Sequence, residues 1–273
     1  MKIKLLGLGL FALALTSCNS KNNGKEGESA AEKTYELVWA DEFDVDGLPD
    51  ADKWFLETDA PENGGWYNNE KQHYTDRIDN ASVSDGTLKI IAKKESYTHN
   101  GSTQEFTSAR FNSKFHFTYG KVEVRAKLPR MQGTWPAIWA LGTNLPEVGW
   151  PACGEIDMME QLFEDHLMVQ SAVHVAGRYG DYPALKQLSV TDVTENFHVY
   201  GMIWTEEKID FTVDGEVFFT YQPQDRSNDF WPFNKDQYLL LNVALGGSLG
   251  GDITPDFTQD QMEVDYVRVY QLQ

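Results

Sequence analysis

The sequence predicts an all-β protein, one antiparallel β-sandwich of the jelly-roll kind. Two observations predict it. Turn signals recur every 8–12 residues or so from Tyr35 to the C-terminus, the spacing of short strands in a sandwich. No segment offers an amphipathic helix of three turns, which argues against an α/β fold.

The first element is not part of that domain. Lys2 and Lys4 precede an apolar run from Leu5 to Leu15, too short to span a bilayer as a helix. Leu15-Thr16-Ser17-Cys18 resembles the lipobox of bacterial lipoproteins, with a signal peptide over 1–17 and acylation of Cys18. The alternative is an ordinary secretory signal cleaved nearby. Residues 19–33 (NSKNNGKEGESAAEK) are polar and rich in Gly, Ser and Asn, so 18–33 reads as a flexible tether. The expected setting is the outer envelope of a bacterium, with membrane attachment through the lipid. The folded domain is expected over 34–273 as a monomer.

Strand signals follow in order. ASVS and TLKIIA flank Asp85-Gly86, and KIDFTV and EVFFTY flank Asp214-Gly215; both read as hairpins around type I′ turns. Val122, Val124, Ala126 and Leu128 alternate with Lys121, Glu123, Arg125 and Lys127, the period of a half-buried strand. EVDYVRVY near the C-terminus is a β-branched and aromatic run.

Composition narrows the function. The 273 residues include 23 Lys plus Arg against 42 Asp plus Glu, a formal net charge of −19. That field excludes a duplex nucleic-acid partner and disfavours anionic polymers, but leaves neutral substrates open. Hydrophobic residues at 41% supply a core. The two cysteines, Cys18 and Cys153, form no zinc-ligand pattern. With Cys18 acylated, Cys153 is expected to be a buried structural thiol.

The most informative stretch is Gly154-Glu155-Ile156-Asp157-Met158-Met159-Glu160-Gln161. On a regular strand Glu155 and Asp157 share a face and Glu160 falls on the other. One extra residue at Met158 or Met159, a β-bulge, would return Glu160 to the carboxylate face. After the bulge the two glutamates are four steps apart, roughly 13 Å along the strand, and long side chains leaning together can close much of that gap. Retaining glycosidases need two carboxyl groups about 5–5.5 Å apart. Crowding a third carboxylate, Asp157, between them raises at least one pKa and keeps an acid protonated near neutral pH. An acidic solvent-facing strand or a cation site is the competing reading of this pattern taken alone.

The neighbouring tryptophans favour the chemistry. GTWPAIWALG (133–142) and GWPAC (149–153) carry Trp135, Trp139 and Trp150. Indole faces pack on the C–H faces of sugars. Trp135 and Trp150, each followed by proline, read as rim or loop residues, while Trp139 is as well explained by the core.

These two stretches, with EIDMMEQ (155–161), LVWADEF (37–43), NNEKQHYT (68–75), TSARF (107–111), FHVYGMIWT (197–205), LLLNVALGGS (239–248) and VDYVRVYQ (264–271), resemble glycoside hydrolase family 16, in particular its laminarinase-like members. The resemblance covers nearly the whole domain in order. It implies a jelly roll with a concave cleft that cuts internal β-glycosidic bonds with retention. It implies Glu155 as nucleophile, Glu160 as acid/base and Asp157 as the residue assisting Glu155. The extra methionine matches the bulged motif that laminarinases share with agarases and carrageenases. Trp135, Trp139 and His174 are implied near the scissile bond, and Asn68 and Arg110 as sugar contacts; Trp150 is expected to bind substrate from the loop or cleft rim. His174 could equally be a satisfied strand histidine, and Arg110 a structural ion-pair residue. Many laminarinases carry histidine where this chain has Gln170. No cofactor is implied for catalysis; a structural calcium is implied at Glu42, Gly86 and Asp265, where carbonyls plus a carboxylate suit a hard cation.

The expected activity is therefore endo-hydrolysis of β-1,3-glucan of the laminarin type. The alternatives are another β-glycan (mixed-linkage glucan, agarose or carrageenan), or a surface glycan-binding lipoprotein that captures without cutting.

Overall fold

The computed structural model describes residues 34–61, 65–162 and 165–273. The signal peptide (1–17), Cys18 and the tether (18–33) lie outside the described residues. Among the described residues seventeen strands and two single-turn helices follow one another: β1 (Tyr35–Asp41), β2 (Trp54–Leu56), β3 (Gln72–Tyr74), β4 (Ala81–Ser84), β5 (Thr87–His99), β6 (Ser102–Ser108), β7 (Arg110–Phe117), β8 (Gly120–Lys127), β9 (Thr134–Gly142), α1 (Leu145–Val148), β10 (Glu155–Leu162), β11 (Asp165–His174), β12 (Ala184–Ser189), β13 (His198–Trp204), β14 (Ile209–Val213), β15 (Glu216–Tyr221), β16 (Gln237–Leu245), α2 (Gly247–Gly250) and β17 (Gln259–Leu272). A 3₁₀ turn spans Tyr67–Asn69.

Two sheets form the predicted sandwich. The larger runs β15-β14-β13-β8-β17-β5-β6-β3, with β1 paired to β17 and β4 to β5. The smaller runs β12-β11-β10-β9-β16-β7-β2. Pairing is antiparallel except between β3 and β6. The hairpin turns are as the sequence demands: Asp85 and Gly86, and Asp214 and Gly215, all have positive φ, which a type I′ turn requires at both central positions.

The core lies between the sheets. Val122, Val124 and Ala126 on β8 face Ile138 and Ala140 on β9, Ile156 on β10 and Leu239, Leu241 and Val243 on β16 within one continuous buried cluster. The alternation in β9 assigns its other face: Trp135, Ala137, Trp139 and Leu141 point away from this core and line an open cleft over the smaller sheet.

Candidate active site

Strand β10 is irregular where the sequence requires it to be. Against β9, Asp157 pairs with Trp139 and Met159 with Ile138, so Met158 is an extra residue. Against β11, Asp157 pairs with Ala172 and Glu160 with Gln170, with the register shifted between them. Met158 and Met159 are both buried in the core. The bulge absorbs one residue, so Glu160 emerges on the face that carries Glu155 and Asp157. All three carboxylates line the same cleft, of about 560 Å³, with Trp66, Asn68, Glu70, Arg110, Trp135, Trp139, Trp150, Tyr238 and Asn242 among its walls.

Gly154 delivers the chain into this strand. Its φ of +80° belongs to the glycine-favoured region, and an added Cβ would sit 2.7 Å from Phe233 Cε1 and 2.8 Å from Pro232 Cγ. Glycine is thus required on two counts one residue before Glu155.

Each carboxylate has its own partners. Trp135 Nε1 donates to Glu160 Oε1 at 3.1 Å and Gln170 Nε2 to Glu160 Oε2 at 3.0 Å. Trp150 Nε1 donates to Glu155 Oε2 at 2.9 Å. Asp157 is 4% exposed, and His174 Nε2 lies 3.5 Å from its Oδ2 and 3.9 Å from Glu155 Oε1.

The electrostatics follow from burial and the crowding of like charges. Burial, and then the Glu160 charge, push Glu155 up to about 7. Burial, with the charges of Glu155 and Glu160, holds Asp157 well above the usual carboxylate range. Burial also raises Glu160, against which the Gln170 and Trp135 donors act. His174 is driven down to about 4 by burial, so its ring is neutral at pH 7. The cluster retains protons near neutrality, as general acid–base chemistry requires.

The remaining expected site residues are placed as follows. Trp139 lines the cleft and donates from Nε1 to Asn242 Oδ1 at 2.8 Å, so it is a cleft wall rather than core. Trp150 stands at the rim, 47% exposed. Trp135 corrects the expectation of a rim position: it is 8% exposed on β9, because pairing between β16 and β10 carries it onto the cleft floor beneath Glu160. Asn68 lines the opposite wall with φ of 60°. Arg110 is both things the sequence allowed. Its Nε lies 2.9 Å from Glu57 Oε2, and its guanidinium lies over Trp139 (4.8 Å) while lining the cleft. His174 packs beside Trp150, at 6.0 Å between centroids, and reaches the carboxylates rather than the cleft wall.

Sequence reasoning missed Glu57, Glu70, Tyr238 and Asn242 as cleft residues. Asn242 carried a signal, one amide inside the apolar run LLLNVAL. Cys153 is fully buried and its thiol is pushed up to about 11 by burial, consistent with a structural role.

The positions implied for calcium are otherwise engaged. Glu42 forms a two-armed ion pair with Arg268, both contacts at 2.8 Å, and Asp265 pairs with Arg125 at 2.6 Å. Gly86 is the second turn residue between β4 and β5. Two carboxylates already matched by guanidinium groups do not fit a hard cation as side-chain ligands. Among the described residues, the set with metal-ligand spacing is Glu155, Asp157 and His174.

A β-sandwich whose cleft combines indole walls with a proton-sharing carboxylate cluster defines a carbohydrate-active protein. The chain belongs to the glycosyl hydrolases family 16, whose model matches residues 68–268. It is 39% identical over 252 residues to a beta-glucanase of Rhodothermus marinus, covering 86% of this chain and 85% of that one. The catalytic domain of LamA from Zobellia galactanivorans superposes with a TM-score of 0.80 at 48% identity, covering 86% of this chain and 97% of that one. A LamA variant from the same organism, crystallised with laminaritriose and laminaritetraose, gives 0.79 at 47%, covering 86% and 98%. The chain is a glycoside hydrolase that needs no cofactor for catalysis.

Proposed function

We propose that the protein is a retaining endo-β-1,3-glucanase of the laminarinase type. The observation that carries the reading is the bulge at Met158, which aims Glu155 and Glu160 into one tryptophan-walled cleft. Glu155 attacks the anomeric carbon while Glu160 protonates the departing glycosidic oxygen. Water deprotonated by Glu160 then releases the glycosyl-enzyme. In the empty cleft the two N–H donors favour the Glu160 anion, so the shared proton must sit on Glu160 once glycan is bound. A sugar expelling water from Glu160 raises its proton affinity, while Trp150 and the Arg110 charge favour the Glu155 anion. Asp157, buried beside Glu155, assists the nucleophile. Trp135, Trp139 and Trp150 offer stacking faces, Asn68 and Arg110 polar contacts, and His174 bears on Glu155 and Asp157.

Among the described cleft residues, five carboxylates (Glu57, Glu70, Glu155, Asp157 and Glu160) against the guanidinium of Arg110 favour an uncharged glucan over a sulfated one. Reducing-end release from laminarin, lichenan, agarose and carrageenan tests the polymer. Glu155→Gln tests the mechanism: a loss exceeding a thousandfold is expected, and activity on laminarin within about tenfold of wild type overturns the assignment.

An acyl chain on Cys18, followed by the 18–33 tether, would hold this domain as a monomer at the bacterial outer envelope. Radiolabelled fatty acid incorporated by wild type and not by Cys18→Ala supports that anchor. A structural calcium near Glu42, Gly86 and Asp265 would rest on main-chain carbonyls, given the two ion pairs there. A melting temperature indifferent to calcium and EDTA removes it.

A further inference from the structure

We propose that Glu155, Asp157 and His174 form a zinc-binding site that opens into the cleft. One ligand atom from each lies within 4.8 Å of the others. The atoms are also chemically free. Trp150 occupies Glu155 Oε2 and leaves Oε1 toward His174. Asp157 Oδ2, in a side chain only 5% exposed, has no hydrogen-bond partner among the described residues. An unpaired carboxylate oxygen in that position is costly, and a cation satisfies it directly.

The spacing suits zinc. In a tetrahedral site with bonds near 2.1 Å, ligand atoms stand about 3.4 Å apart. His174 Nε2 lies 3.5 Å from Asp157 Oδ2 and 3.9 Å from Glu155 Oε1, two edges within about half an ångström of that spacing; the third edge, between the two carboxylates, is within 4.8 Å and closes by side-chain rotation when the ion binds. Two of the three ligand residues, Glu155 and Asp157, line the cleft, and a fourth, non-protein ligand would complete the zinc coordination. An imidazole with only two carboxylates selects zinc or copper over calcium and magnesium, which demand more oxygen ligands. β10 and β11 hold the donors in register, since Glu155 pairs with His174 and Asp157 with Ala172. A zinc ion there ties up Glu155 Oε1, the oxygen not held by Trp150, so it inhibits reversibly and competes with glycan. The inhibition rests on the glucanase reading, whereas the binding does not.

Equilibrium dialysis of the full chain with zinc chloride at pH 7, in a buffer that does not chelate metal, tests this without substrate. We expect one saturable ion per chain with micromolar affinity. Affinity should fall at least about tenfold in His174→Ala and in Asp157→Asn, each checked for folding by circular dichroism. His198→Ala, which alters the His198 ion pairs with Asp192 and Asp214, should keep the wild-type affinity. No saturable binding below about 1 mM zinc, or equal affinity in wild type and in the folded His174 and Asp157 variants, overturns the site.

Discussion

Replacing Gln170 by leucine should move the alkaline limb of the pH–activity profile upward. Gln170 is 6% exposed and its amide donates to Glu160 Oε2 at 3.0 Å, while Trp135 holds the other oxygen. Leucine keeps most of the volume and removes the donor. A hydrogen bond to a charged acceptor is worth roughly 1.5–3 kcal/mol, and it favours the anion specifically. At about 1.4 kcal/mol per pKa unit, its loss raises Glu160 by about one to two units. Glu160 must be protonated to act on the glycosidic oxygen, so the variant should stay active to higher pH. Titrations in this cluster are shared, and the limb reports the cluster rather than one residue. The assay is kcat/KM on laminarin from pH 4 to about 10, which reads the free enzyme. A general structural effect would lower kcat across the profile without moving the limb. An alkaline limb that stays in place, or moves downward, refutes the donor argument.

Three further outcomes are expected. Glu155→Gln should flatten the pH dependence of stability: the folded-state value near 7 exceeds the unfolded 4.5, so the native state binds the proton more tightly. Wild-type stability from this group is present at acid pH and lost as pH rises through 7, by up to about 3 kcal/mol. Urea melts at pH 5 and 8 should show the variant gaining on wild type at the higher pH; parallel behaviour refutes the raised carboxyl. Gly154→Ala should destabilise by more than about 2 kcal/mol through its positive φ and the Phe233 and Pro232 contacts, with a loss below about 0.5 kcal/mol arguing against that backbone geometry. Ile138→Ala, in the fully buried centre of β9, should cost about 2–5 kcal/mol in the same melts, and a near-neutral result would place Ile138 outside the core.

Local chemistry settled much of this protein. The alternation through Val122–Leu128 named the buried face of β8, because a strand offers its side chains to two faces in turn. Asp85-Gly86 and Asp214-Gly215 set hairpin turns, because few residues tolerate positive φ at both positions. Glu155, Asp157, Met158 and Glu160 implied the bulge, since without it one glutamate would face the core. Tertiary structure decided what those residues meet. Trp135 lies under Glu160, Arg110 pairs with Glu57 over Trp139, and Asn242 takes the Trp139 indole across 103 positions. Period-two alternation says which face a side chain takes, but strand order says which neighbours share it. In this sandwich the neighbours of β9 are β10 and β16, one near in sequence and one far. The raised carboxyls have the same origin: burial and like charge act through space, and both exist only once the cleft has closed around them.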